Sequence, residues 1–74
     1  MFFYKSPIGT FKIGIDKRVG KYALVINDVI YGHYPNTLSA ADDVYMHVTG
    51  CYEWDSLDGT IEDVPTDIYE WEKV

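Results

Sequence analysis

His47 and Cys51 stand four residues apart, the spacing that places two side chains on one face of a helix. Imidazole and thiolate are zinc ligands, and a histidine beside a cysteine can activate a thiol nucleophile. Asp43 lies four residues before His47, and His33 could approach from a strand, so four donors exist on paper. The pattern lacks the CxxC or HxxxH pairs that structural zinc sites draw on. Cys51 is the single cysteine, so no internal disulfide forms. At a helix C-terminus the macrodipole also disfavours a thiolate. A metal or thiol protein built on His47 and Cys51 therefore ranks third among the expectations, and no cofactor is expected. Asp55, Asp58, Glu62 and Asp63 suggest calcium, and Asp58-Gly59-Thr60-Ile61 matches the middle of an EF-hand loop. In that register Trp54 and Pro65 occupy the first and last ligand positions, where neither can serve. No glycine-rich phosphate loop, GxSxG or HExxH is present. No enzymatic activity is expected.

The surface chemistry is more informative. Twelve of 74 residues are aromatic, more than a small core needs. Exposed tyrosine and tryptophan mark recognition surfaces. Charge is divided along the chain. Residues 1–36 carry five lysines and arginines against two aspartates, a net of +3; residues 37–74 carry one lysine against ten carboxylates, a net of −9. Two consequences compete. A mildly basic first half could lie against and neutralise an acidic second half, or the acidic half could face a basic partner. The overall charge of −6 argues against nucleic acid and against anionic membranes as principal partners. The binding candidates are Tyr31 and His33 on one strand, and Glu53, Trp54, Asp55 and Asp58 in the acidic segment.

These residues need elements to position them. Phe11, Ile13 and Ile15 alternate with Thr10, Lys12 and Gly14, the period of a half-buried strand. Lys21 to Ile26 is a second alternating run, apolar on both sides. Asn27-Asp28 is a tight-turn signal, because both residues tolerate the left-handed region. Val29 to Tyr34 follows as a strand, with Gly32 where a bulge would sit. Phe2–Lys5 reads as an edge strand, open to pairing with a second copy in a homodimer. Ser39 is a good N-cap with Asp42 three residues on, and Gly50 suits the left-handed residue that ends a helix. The expected fold is α+β: an antiparallel meander of three or four strands over 1–35, one helix over 39–49 packed on one face, and an irregular acidic tail over 50–74. The tail should contain a helical turn over Thr66–Trp71 capped by Thr66, with a short strand as the alternative. The expected core is Phe11, Ile13, Tyr22, Leu24, Ile26, Ile30, Ala41, Val44, Tyr45 and Val48. On this assignment Tyr31 and His33 share the face opposite the helix, unless the tail covers it with Trp54 and Trp71.

A single domain of this size buries roughly 60% of its unfolded surface, which leaves no room for a separate cofactor domain. No apolar run reaches the ~20 residues of a membrane span. The N-terminus lacks the basic start and apolar stretch of a signal peptide. A soluble, cytoplasmic protein is expected. Gly20-Lys21-Tyr22, Ile26, Tyr31-Gly32-His33-Tyr34, Thr37 and Ala40-Ala41 before Tyr45 resemble the sheet-to-helix run of ethylene-response-factor and phage-integrase arm-binding domains. That resemblance covers about a third of the chain and implies β-β-β-α architecture. Those domains read DNA with arginine and tryptophan on the sheet; the matching strands here offer Lys12, Lys21 and Tyr22. Tyr4 to Thr10 is similar to the opening strand of methylguanine repair methyltransferases, whose Pro-Cys-His-Arg motif is absent. Ala40–Tyr45 with Thr49-Gly50-Cys51 resembles strings found in small bacterial and phage proteins of no assigned function. The leading expectation is a non-enzymatic module that binds a basic protein. The alternative is weak nucleic-acid binding on a sheet face through Lys12, Lys21 and Tyr31.

Overall fold

Asn27 and Asp28 take φ of +50° and +68°, the paired left-handed conformation that a two-residue hairpin demands. The turn joins two of the strands in the computed structural model, which describes residues 1–61 and 63–74. Those strands are β3 (Lys21–Ile26) and β4 (Val29–Tyr34), which follow β1 (Phe2–Ser6) and β2 (Gly9–Asp16). After them come α1 (Thr37–Tyr45), a single turn α2 (Tyr52–Asp55), a 3₁₀ turn at Ile68–Glu70 and a short β5 (Glu72–Lys73). The sheet is antiparallel and open, in the order β4-β3-β2-β1-β5. This is the α+β class, with the four-stranded meander extended by a fifth strand.

That fifth strand alters the edges. Glu72 and Lys73 pair with Phe3 and Phe2, so the start of Phe2–Lys5 is already covered. The edge expected to receive a second copy is thus partly closed by the chain's own C-terminus. Val74 donates its N–H to the Met1 carbonyl at 2.9 Å and fastens the two ends.

α1 begins earlier than Ser39 implies. Asn36 is the N-cap, and its Oδ1 accepts the Ser39 N–H at 2.8 Å. It ends at Tyr45, short of Gly50. His47 takes the left-handed turn at φ +57°, and Val48 donates its N–H to the Asp43 carbonyl at 3.0 Å. This is a Schellman ending with histidine in glycine's usual place. The expected core shifts accordingly. Ala40, Ala41 and Val44 are buried on α1, while Tyr45 at its last position and Val48 beyond its end are exposed. Ile30 is also exposed, because it lies on the uncovered side of the sheet. Phe11, Ile13, Leu24 and Ile26 form the sheet's buried layer. Trp54, Val64, Ile68 and Trp71 pack onto that same layer from the tail. The 3₁₀ turn is capped by Asp67, whose Oδ1 accepts the Tyr69 N–H at 2.8 Å, and not by Thr66.

Gly9 holds φ +138°, and a Cβ there would collide with the Asn27 side chain, which donates to the Ile8 carbonyl at 2.9 Å. Two adjacent hairpins thus lock through one contact. Gly9→Ala should destabilise the protein by about 1–3 kcal/mol, since that backbone region is essentially closed to other residues. The check is a urea unfolding curve with a lowered midpoint and unchanged slope.

Candidate functional site

The acidic segment is organised by Trp54. Its side chain is fully buried, and its indole Nε1 donates to the Val44 carbonyl at 2.9 Å, at the end of α1. The ring meets Phe11 edge-on at 4.8 Å and Tyr4 at 6.0 Å. His47 stacks on its other side at 4.4 Å with planes 16° apart. His47 Nδ1 donates to the Trp54 carbonyl at 2.9 Å. A left-handed conformation costs a bulky residue about 1–2 kcal/mol, which the stack and this hydrogen bond offset. Trp54 is therefore a core residue and is corrected out of the expected binding surface.

Asp55 is internal in a different way. Its Oδ1 accepts the Thr49 N–H at 3.0 Å and the Thr49 hydroxyl at 2.8 Å, and its Oδ2 accepts the Gly50 N–H at 2.9 Å. The carboxylate is spent closing the loop between α1 and α2. Glu53 and Asp58 are exposed, as the sequence implies.

The four paper ligands for a metal part company. His33 Nε2 donates to Asp16 at 3.1 Å, and Asp43 accepts the Tyr34 hydroxyl at 2.8 Å. His47 is held by Trp54. Cys51 is buried at the N-cap position of α2, where its side chain makes no capping bond, and it lies near Tyr31. Because α1 stops at Tyr45, His47 and Cys51 never share a helix face. Among the described residues, no three His, Cys, Asp or Glu side chains converge on a common point. Glu62, one of the calcium candidates, lies outside the described residues.

Tyr31 and His33 do not share a face. The register breaks between Leu24 and Val25, so Gly32 pairs with Leu24 while Ile30 pairs with Val25, and Tyr31 is the extra residue. His33 goes to the open face with Asp16. Tyr31 leans toward Cys51 and Glu53, and the Cys51 contact, with burial and Glu53, raises its phenol above the usual range. Burial and the bond to Asp43 also raise Tyr34.

The open face carries a shallow groove of about 220 Å³, floored by Gly14, Ala23 and Val25 and flanked by Lys12 and Arg18. Trp54 and Trp71 pack on the helix side and do not cover it. Two of its three cations, Lys12 and Arg18, are engaged locally. Arg18 grips Asp16 through Nε and a terminal nitrogen, both at 3.1 Å, and Lys12 lies 3.6 Å from Asp28. The side-chain bonds from Arg18 and His33 hold the Asp16 carboxyl well below the usual range.

The opposite condition holds in the second half. All three ion pairs of the described residues lie between positions 12 and 33. Asp42, Glu53, Asp58, Asp63, Asp67 and Glu70 are exposed and meet no cation among the described residues. Tyr45, Met46, Val48 and Tyr52 are exposed along the same stretch of chain. A cleft of about 370 Å³ opens there between the end of α1 and the loop after α2, lined by Tyr45, Met46, His47, Asp58, Ile61 and Val64. No helix is long and apolar enough to cross a membrane among the described residues. Compared with known proteins, the chain matches no family model, no curated protein and no solved structure.

Asp55→Ala should cost about 2–3 kcal/mol, because it strands two amides and a hydroxyl that bond a charged acceptor, whereas Asp58→Ala should stay within about 0.5 kcal/mol. Urea midpoints of the two variants distinguish them. Asp16 supplies a pH test. Its carboxyl is lowered in the folded state, so its contribution is complete above the ordinary aspartate value of about 3.9 and is lost as pH falls through the lowered value. The stability difference between the native chain and Asp16→Asn should hold from neutral pH down to that point and shrink below it.

Proposed function

We propose that this protein is a non-enzymatic binding module whose acidic second half engages a basic protein. One observation carries this reading: exposed carboxylates without cationic neighbours lie along the same stretch of chain as exposed tyrosine, methionine and valine, and Asp58 lines one cleft with Tyr45 and Met46. Unpaired surface charge steers a partner of opposite sign, and the apolar groups supply area that gains from burial. Internal neutralisation, the competing expectation, has little support, since no ion pair among the described residues joins the two halves.

Nucleic-acid binding on the open sheet face is the second reading. It rests on Lys12, Lys21 and the uncovered groove. It is weakened by the local engagement of Lys12 and Arg18, and by the position of Tyr31 away from that face.

A fluorescent lysine- and arginine-rich peptide is the direct probe. It should bind by anisotropy at about 50 mM salt and weaken strongly at about 300 mM, where screening is tighter. Replacing Glu53, Asp58 and Asp63 together by lysine should abolish the signal. Unchanged peptide binding in that variant would remove the acidic face from consideration. Salt-sensitive binding of single-stranded DNA that the triple variant leaves intact would favour the second reading.

A further inference from the structure

The cleft at the end of α1 has a polar group that the fold does not use. His47 is more than nine-tenths buried, and its Nδ1 hydrogen is committed to the Trp54 carbonyl. In the neutral form of the ring, that bond leaves Nε2 as the acceptor. Nε2 has no partner among the described residues. The one side-chain nitrogen or oxygen that is both unpartnered and wholly sealed from solvent among them is Trp71 Nε1, so His47 Nε2 keeps contact with open space. The space that His47 lines is this cleft. Stacking on Trp54 fixes the ring's plane, and the hydrogen bond fixes its rotation.

The rest of the lining narrows the occupant. Asp58 is an exposed carboxylate, and no lysine or arginine lines the cleft. Both side-chain polar groups offered by His47 and Asp58 are acceptors. An anion would meet the Asp58 charge. A purely apolar ligand would strip water from two acceptors and return no hydrogen bond. A metal would find two ligands where it needs more, since no third donor converges among the described residues. A cation rich in N–H groups on an alkyl stem satisfies every wall: donors for Nε2 and Asp58, methylenes against Met46, Ile61 and Val64, and charge near the Tyr45 ring. The volume of about 370 Å³ lies at the small end of ligand sites, which span ~300–1,000 Å³.

We propose that this cleft receives a cationic side chain of the basic partner, an arginine guanidinium or a lysine ammonium, between His47 Nε2 and the Asp58 carboxylate. The proposal rests on the acidic half being the face for that partner. It adds a specific anchor to what would otherwise be a diffuse electrostatic surface.

The test uses the full ¹⁵N-labelled chain and three probes: N-acetyl-arginine amide, N-acetyl-lysine amide and the uncharged N-acetyl-norleucine amide. The two cations should bind at about millimolar strength, shifting the Gly59 and Ile61 amides and the His47 imidazole nitrogens, with the norleucine probe at least about tenfold weaker. Asp58→Asn, an exposed and isosteric change, should weaken the cations about fivefold or more. His47→Asn, which tolerates the left-handed backbone, should do the same while the remaining spectrum reports an intact fold. Equal binding of norleucine amide would overturn the cationic assignment. Shifts confined to residues around Asp42 and Asp67 would overturn the cleft while leaving the acidic face standing. So would the absence of any shift in a chain that still binds the basic peptide. Loss of both the amide probes and the peptide would overturn the cleft and the acidic-face reading together.

Discussion

The second half of the chain is held in place by the burial of Trp54. Residues 37–74 carry a net charge of −9 and repel one another, so a strong local attraction must fix them to the sheet. A buried indole removes roughly 200 Å² from water, worth about 5 kcal/mol as an upper bound. Trp54 also makes two polar links to the end of α1 and the turn that follows it. Its Nε1 donates to Val44, and its carbonyl accepts from His47. The Val44 carbonyl accepts the His47 N–H as well, at 3.2 Å. Helix end, tail and sheet therefore meet at one side chain.

This anchoring explains why the carboxylates face outward. Apolar pegs recur through the tail at Trp54, Val64, Ile68 and Trp71, and each points into the layer of Phe11, Ile13, Leu24 and Ile26. Between the pegs, Asp58, Asp63, Asp67 and Glu70 have no inward position to occupy. The first half solves its charge problem differently. Asp16 gathers Arg18 and His33, and Asp28 lies beside Lys12, so both aspartates of that half are paired and its excess of +3 rests on Lys5, Lys17 and Lys21. The division of charge along the sequence thus survives as a division of charge in space.

How much of this is legible in the sequence depends on the range of the interaction. Alternation in Phe11–Ile15 and Tyr22–Ile26, and the Asn27-Asp28 turn, are local signals, and the hairpins follow them. Asn36 and Ser39 are both good caps, and local chemistry does not separate them. Gly50 draws the helix end toward itself. The actual stop at His47 depends on a ring nine residues beyond Tyr45, which no window of helix periodicity contains. The split of Tyr31 from His33 has one local marker, Gly32, whose place as a bulge position is visible without its consequence for facing. Two-residue β5 is too short for any period to show. Trp54 misleads for a simple reason. Flanked by Glu53 and Asp55, it looks like part of an exposed acidic string, although one residue in three or four of such a string can still turn inward.

The same lock that stabilises the tail also prepares the chemistry of the cleft. A histidine in a free loop exchanges its proton between two nitrogens and rotates about its side-chain bonds. His47 does neither freely, because the Trp54 carbonyl selects the Nδ1 tautomer and the indole face selects the ring plane. Strain at its left-handed backbone persists only because the surroundings over-determine it. An acceptor held this way loses little freedom when a donor arrives, so less of the interaction is spent on ordering. Asp58, by contrast, is exposed and unpaired among the described residues, and supplies charge without a fixed geometry. A fixed imidazole lining the same cleft as an exposed carboxylate divides the work of recognition: the carboxylate attracts any cation, and the imidazole favours one whose N–H can reach its lone pair.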